Sequence, residues 1–178
     1  MGHKYTRQQI LQGAVELTLG DGVGSLTFGK LAKRLGTSDR VVVYYFPSKA
    51  TLVTDVMVEI GGRLQAVLAG AFTEPAGDHR QLTRAAYRVL ARDETDAVFA
   101  VYFEACGLAA AGVHPFGELA AGLLDGWVQW LSGFFRGTPA RRRAEAEATL
   151  ALIDGVLLMR QLGGAQAADR AAKALGLT

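Results

Sequence analysis

Cysteine is nearly absent from this sequence: Cys106 is the only one among 178 residues. That excludes an intrachain disulfide and any zinc site built from several thiolates. Proline occurs four times, at the edge of a helical pattern or, for Pro75, in a loop, where its missing N–H does no harm. The three histidines, His3, His79 and His114, stand apart. No metal-ligating spacing, activated-nucleophile spacing or glycine-rich phosphate loop after a strand is present, so neither an enzyme, a cofactor nor a metal is expected. Strand-like alternation and internal repeats are missing too. No apolar run reaches the roughly 18 residues that span a bilayer, and no membrane partner is expected. The opening MGHKYTRQQ lacks the apolar stretch of a secretory signal, and a cytoplasmic protein is the simplest expectation. Gly2 and Thr6 match a short myristoylation pattern, but Thr6 has a better use as a helix cap.

Apolar residues at helical spacing are abundant. Half of the chain is hydrophobic, enough for a sizeable core and too much for a disordered segment. Thr6 and Gln9 form a capping box ahead of Ile10, Leu11, Ala14, Val15 and Leu17, and Gly20-Asp21-Gly22 stops that helix. Thr27 caps a second helix, with Leu26 and Leu31 at staple positions. Gly36 makes a turn, and Ser38 caps a third helix with Asp39 at its positive end. Pro47 ends that helix by disfavouring helical geometry at Phe46. Ser48 caps a fourth, which runs to about residue 72. Gly61-Gly62 interrupts it, marking either a bend or the close packing of a neighbour.

After the loop Glu74–Asp78, helices are expected at about 79 to 92, 94 to 111, 115 to 136 and 139 to 162. Gly163-Gly164 then breaks the chain before an alanine-rich helix at about 166 to 175. The fold class is therefore all-α, with about nine helices.

Charge is uneven along the chain. Residues 1 to 50 carry a net +4, while the remaining residues carry −2. A basic end on a mildly acidic body suits a phosphate-facing partner. The pair of short helices between Thr27 and Lys49 has the layout of a helix-turn-helix reader of double-stranded DNA. Val42 and Phe46, four residues apart, can anchor its inner side. Arg40 can bond guanine O6 and N7, Asp39 can accept from cytosine N4, and Val41 can touch a thymine methyl; Tyr44 is also available to the groove. Thr27, Lys30, Tyr45 and Lys49 suit phosphates, and so do the backbone amides that open the fourth helix. Asp39 has a second reading, as a carboxylate that only serves its own helix dipole.

At these residues the chain resembles the TetR (tetracycline-repressor) family of bacterial regulators. The resemblance rests on Leu31-Ala32-Lys33-Arg34-Leu35-Gly36, on Ser38, on Tyr44-Tyr45-Phe46-Pro47-Ser48-Lys49 and on Leu52-Val53. It covers about residues 6 to 56. Val43 departs from the pattern: the family often has a DNA-contacting tyrosine there, and valine cannot donate a hydrogen bond. The resemblance implies a helix-turn-helix domain over 1–48 and a helical effector-binding and dimerisation domain over 49–178. Leu152–Arg160 resembles the family's penultimate helix, which implies a homodimer through about 139–175 and a palindromic operator. Leu150–Leu162 is apolar on most sides, as such a helix requires, and Ala167, Ala168, Ala171 and Ala172 would let a partner helix approach. A buried helix within a monomer would show the same pattern.

The middle helices collect aromatic side chains. Phe99, Tyr102, Phe103 and Cys106 fall on one side of one helix, and Trp127, Trp130, Leu131 and Phe134 fall along the next. Core packing accounts for such stripes in most proteins; the resemblance implies instead a pocket for a small apolar effector, with Tyr102, Gln129 and Asp154 orienting it. The expected function is a ligand-responsive transcription regulator, most simply a repressor. The competing reading is a small helical ligand carrier without a DNA function.

Overall fold

A computed structural model describes residues 5–178, so Gly2, His3 and Lys4 lie outside the described residues. Those residues form eight helices: α1 (Arg7–Asp21), α2 (Phe28–Leu35), α3 (Asp39–Tyr45), α4 (Lys49–Ala71), α5 (His79–Leu90), α6 (Asp93–Ala110), α7 (Phe116–Ser132) and α8 (Pro139–Ala174). Only a single bridge, between Ala76 and Phe135, interrupts the all-α pattern among them. The difference from nine helices lies at Gly164, whose φ of 77° and ψ of 174° break the last helix internally. The glycine break is where the sequence places it, but helical hydrogen bonding resumes at once, so the two pieces count as one element.

Two compact units divide the chain, one of Met1–Arg63 with Ala100–Ala120 and one of Leu64–Phe99 with Ala121–Thr178. In the first unit, local signals build the helices. Thr6 accepts from the Gln9 amide at 3.2 Å while the Gln9 side chain accepts from Thr6 N at 2.8 Å, which completes the capping box. Ile10, Ala14, Val15, Val23, Leu26, Leu31, Val42, Phe46, Leu52, Val53 and Val56 are wholly buried and form one core. Arg7 pairs with Asp55 and lays its guanidinium 4.7 Å from the Phe46 ring centre, tying α1 and α4 over the end of α3. Gly61-Gly62 does not end α4, which continues to Ala71, and Gly62 is not a site of close packing, since a Cβ there would meet nothing within 4 Å.

The second unit is organised by α5 on α8. Tyr87 donates to Asp169 at 2.6 Å. Burial and that carboxylate push the Tyr87 pKa up to about 12. Arg80 and Arg84 reach the carbonyls of Leu175 and Gly176, where cations complement a helix C-terminus. Ala168 and Ala172 are wholly buried within this unit, so these two alanines serve intrachain packing rather than a partner helix. Pro115 stands just before the first residue of α7, and α7 stops at Ser132, four residues short of the expected 136. There the chain turns: Phe134 N bonds Leu131 O, and Phe134 O accepts from Ala76 N at 2.8 Å. One stretch of α8 is long and apolar enough, by length and composition, to cross a membrane, which corrects the expectation that none is; a core helix meets the same criterion.

His79 opens α5 with both its backbone N–H and Nδ1 on Glu145 Oε2, at 2.8 and 2.7 Å. The His79 side-chain bond holds the Glu145 pKa below its ordinary 4.5, helped by the backbone bond. A carboxylate whose pKa is depressed by folding stabilises the fold above its unfolded pKa, and that contribution disappears as pH falls through the folded value. Glu145→Gln is therefore expected to narrow the stability gap between pH 7 and acid below 4.5. Urea midpoints across pH check this; equal acid sensitivity of both proteins would contradict it.

Candidate nucleic-acid interface

The helix-turn-helix is assembled by short-range bonds. Thr27 Oγ1 accepts from Lys30 N at 3.2 Å and starts α2. At its other end Gly36 takes φ 63°, ψ 41°, a left-handed conformation that costs glycine little. Thr37 N bonds Ala32 O at 3.0 Å across this turn, closing a Schellman motif. Ser38 stands at the N-cap of α3, but its side chain makes no capping bond, contrary to the expected cap. The carbonyl serves instead, accepting from Val41 N at 3.0 Å. Ser48 does cap α4, accepting from Thr51 N at 3.0 Å.

Burial divides α3 by face. Val42 and Phe46 are wholly buried. Asp39, Arg40, Val43 and Tyr44 are exposed and Val41 is half-buried. Tyr44 is 65% exposed, which is unusual for an aromatic residue and leaves most of its ring to the solvent side of the reading helix. It meets Tyr45 edge to face, with ring centres 4.9 Å apart. The Tyr45 hydroxyl donates to Tyr5 O at 2.8 Å, so it anchors the segment ahead of α1 within the same unit. Tyr5 in turn donates to Leu35 O. Sequence reading missed this chain of contacts because it joins positions 30 and 40 residues apart. The Asp39 carboxylate lies beside the first turn of α2, where a Cβ on Gly29 would sit 3.6 Å away. Thr27, Lys30, Ser38 and Lys49 are exposed around this helix.

A short reading helix with one buried edge and one basic, aromatic, exposed edge can enter a major groove about 12 Å wide. Residues 10–56 match the family model for bacterial regulatory proteins of the tetR family. These residues carry the TetR family's N-terminal DNA-binding signature, and the chain is similar to that family. It is a DNA-binding transcriptional regulator of the helix-turn-helix type and not an enzyme, which sets aside the ligand-carrier reading. Solved structures resemble the whole chain in fold. A TetR-family transcriptional regulator from Rhodococcus sp. has a TM-score of 0.75 at 16% identity, with 96% of each chain covered. A TetR transcriptional regulator from Legionella pneumophila gives 0.60 at 19%, covering 98% of this chain and 99% of that one. A transcriptional regulator from Saccharomonospora viridis, in complex with choline, gives 0.69 at 21%, covering 96% and 93%. No curated protein matches the sequence.

The suggested effector residues fall into groups. Trp127, Trp130 and Phe134 line up at i, i+3 and i+7 along and just beyond α7. Trp130 meets Trp127 at 5.5 Å and Phe134 at 4.9 Å between ring centres. Phe72, from just beyond α4, joins them 5.0 Å from Phe134, a partner that helical spacing alone could not supply. Leu131 is buried, as is Phe99. Tyr102 and Phe103 pack ring to ring at 5.1 Å on α6. They and Cys106 are half-buried, as is Asp154 on α8. A cleft of about 330 Å³ opens elsewhere, between the first turns of α4 and the residues around Pro115, with Asp55 and Glu118 on its walls. Among the described residues, no three His, Cys, Asp or Glu side chains gather to hold a metal.

Proposed function

We propose that the chain is a cytoplasmic homodimeric repressor that binds a palindromic operator and releases it when a small apolar effector binds. The exposed edge of α3 carries this reading. Arg40 is the base-reading residue, with Asp39, Val41 and Tyr44 beside it in the groove, and Val43 offers only an apolar contact. Thr27, Lys30, Ser38 and Lys49 set position on phosphates, and Tyr45 joins them by exchanging its hydroxyl bond to Tyr5 O for one to a phosphate. Residues 1–48 serve DNA and 49–178 serve effector binding and dimerisation.

The dimer is supported by a stripe on α8. Ala151, Gly155, Leu158, Met159 and Leu162 recur at helical spacing and are all exposed, and Leu162 is 79% so. An apolar stripe of this kind is what a symmetric helix pair buries. The effector site is supported by the aromatic groups above, and by the choline complex of the Saccharomonospora viridis relative. Effector release is a population shift, so the ligand must bind the DNA-incompetent state more tightly.

Binding to duplexes selected from random sequence tests this directly. Arg40→Ala is expected to cost about 1–3 kcal/mol and to relax preference at one base position. Lys49→Ala is expected to weaken all duplexes alike and to flatten the salt dependence. Equal loss of discrimination from both changes would refute these roles, and a selected site without twofold symmetry would refute the dimeric reading.

A further inference from the structure

Residue Glu104 of α6 holds the turn that leads into the helix-turn-helix. Its Oε2 accepts from Val23 N at 2.8 Å and its Oε1 from Gly24 N at 2.9 Å. A carboxylate taking two adjacent backbone amides makes a pair of charge-assisted bonds, stronger than neutral ones. The sequence around it makes room. A Cβ at Gly22 would lie 2.6 Å from Oε2, and one at Gly24 2.9 Å from Oε1, so side chains at these two positions would collide with the carboxylate. The turn itself is stiff: Val23 and Leu26 are wholly buried on either side, and Ser25 Oγ donates to Gly22 O at 3.1 Å. Three residues after Gly24, Thr27 caps α2.

The other side of α6 matters equally. At 3.6 residues per turn, Val101, Glu104, Ala105 and Leu108 share one face. Val101 and Ala105 are buried, and Leu108 reaches within 4.0 Å of where a Gly24 Cβ would stand. Tyr102, Phe103 and Cys106 fall on the opposite face. One rigid helix therefore presents its suggested effector-contacting side chains on one face and its grip on the α1–α2 turn on the other.

We propose that Glu104 is a positioning residue that transmits the state of α6 directly to the reading head. A rotation or slide of α6 moves the carboxylate, the carboxylate moves the Val23-Gly24 peptides, and α2 and α3 follow. This rests on the effector-responsive reading above, and it gives that reading a direct route from α6 to α3.

Amide hydrogen exchange at Val23 and Gly24 in the full chain tests the link without DNA or a ligand. Glu104→Ala is expected to speed exchange at both amides about tenfold, and Glu104→Gln, which keeps one acceptor oxygen, to speed it less. Gly24→Ala, which leaves the carboxylate in place but fills its seat, is expected to reproduce the effect on Val23. Phe103→Ala, on the far face of α6, supplies the coupling test. It is expected to change exchange at Val23 when Glu104 is present and to leave it unchanged in the Glu104→Ala background. Affinity for a selected duplex is expected to follow the same pattern, with a several-fold loss for Glu104→Ala. Unchanged exchange in Glu104→Ala, or an equal effect of Phe103→Ala in both backgrounds, would overturn the proposal. A chain that binds no duplex would instead overturn the reading of function, while the exchange cycle would still decide the link. A merely structural role would lower the melting temperature without removing the Phe103 coupling.

Discussion

Phe46→Ala is expected to cost the first unit about 3–5 kcal/mol, the range for emptying a large aromatic site in a packed core. Phe46 is 0% exposed and closes the end of α3. Its ring also carries the Arg7 guanidinium at 4.7 Å, so the substitution removes a cation–π contact and loosens the Arg7–Asp55 pair above it. A small domain has about 5–15 kcal/mol in total, and a loss of this size leaves the reading helix folded only part of the time. Urea unfolding should show a much lower midpoint, and duplex binding should weaken for every sequence alike. A change below about 1 kcal/mol would mean that the ring is not packed as described. Phe46→Leu, which refills most of the volume, should recover most of the loss.

The second large effect is expected at Arg160, and it is asymmetric. This guanidinium is only 8% exposed on α8. Its Nε and Nη2 bind Asp96 at 2.6 and 2.9 Å, and Nη2 also binds Asp93 at 2.5 Å. The bond to Asp96 leads in holding the Arg160 pKa above its ordinary value. Asp96→Ala leaves a buried cation with one carboxylate that is itself almost fully in water, 96% exposed. A loss of about 2–4 kcal/mol follows, toward the lower end of what breaking a buried pair costs. Arg160→Met removes the buried charge and leaves Asp93 and Asp96 as surface carboxylates, so it should cost less. The double variant should recover part of the Asp96→Ala loss. Denaturation midpoints decide it: an Arg160→Met variant less stable than Asp96→Ala would show that the cation's pairing is not what stabilises the join of α6 and α8.

The sequence by itself determined the local events. Capping boxes, staples, the Gly36 turn and the proline stop after Phe46 act within about four residues, so the first four helices and the buried and exposed edges of α3 could be read directly. So could the family, since its signature lies in that same stretch. Beyond Pro47 the apolar periodicity located helices but not their partners. Ala168 and Ala172 show the reason: small buried residues look alike whether they pack on their own chain or on another. The Ser38 side chain shows a related limit, since a residue suited to capping still leaves the bond to whichever acceptor sits closer. Only tertiary structure decided which distant groups meet. The bonds of Glu104 to Val23 and Gly24, of Arg160 to Asp96 and of His79 to Glu145 each span more than 60 residues. Isolated charges separated by that much chain carry no local signal of pairing. Their partners follow from how whole helices pack, and packing depends on the shape of every side chain in the core at once.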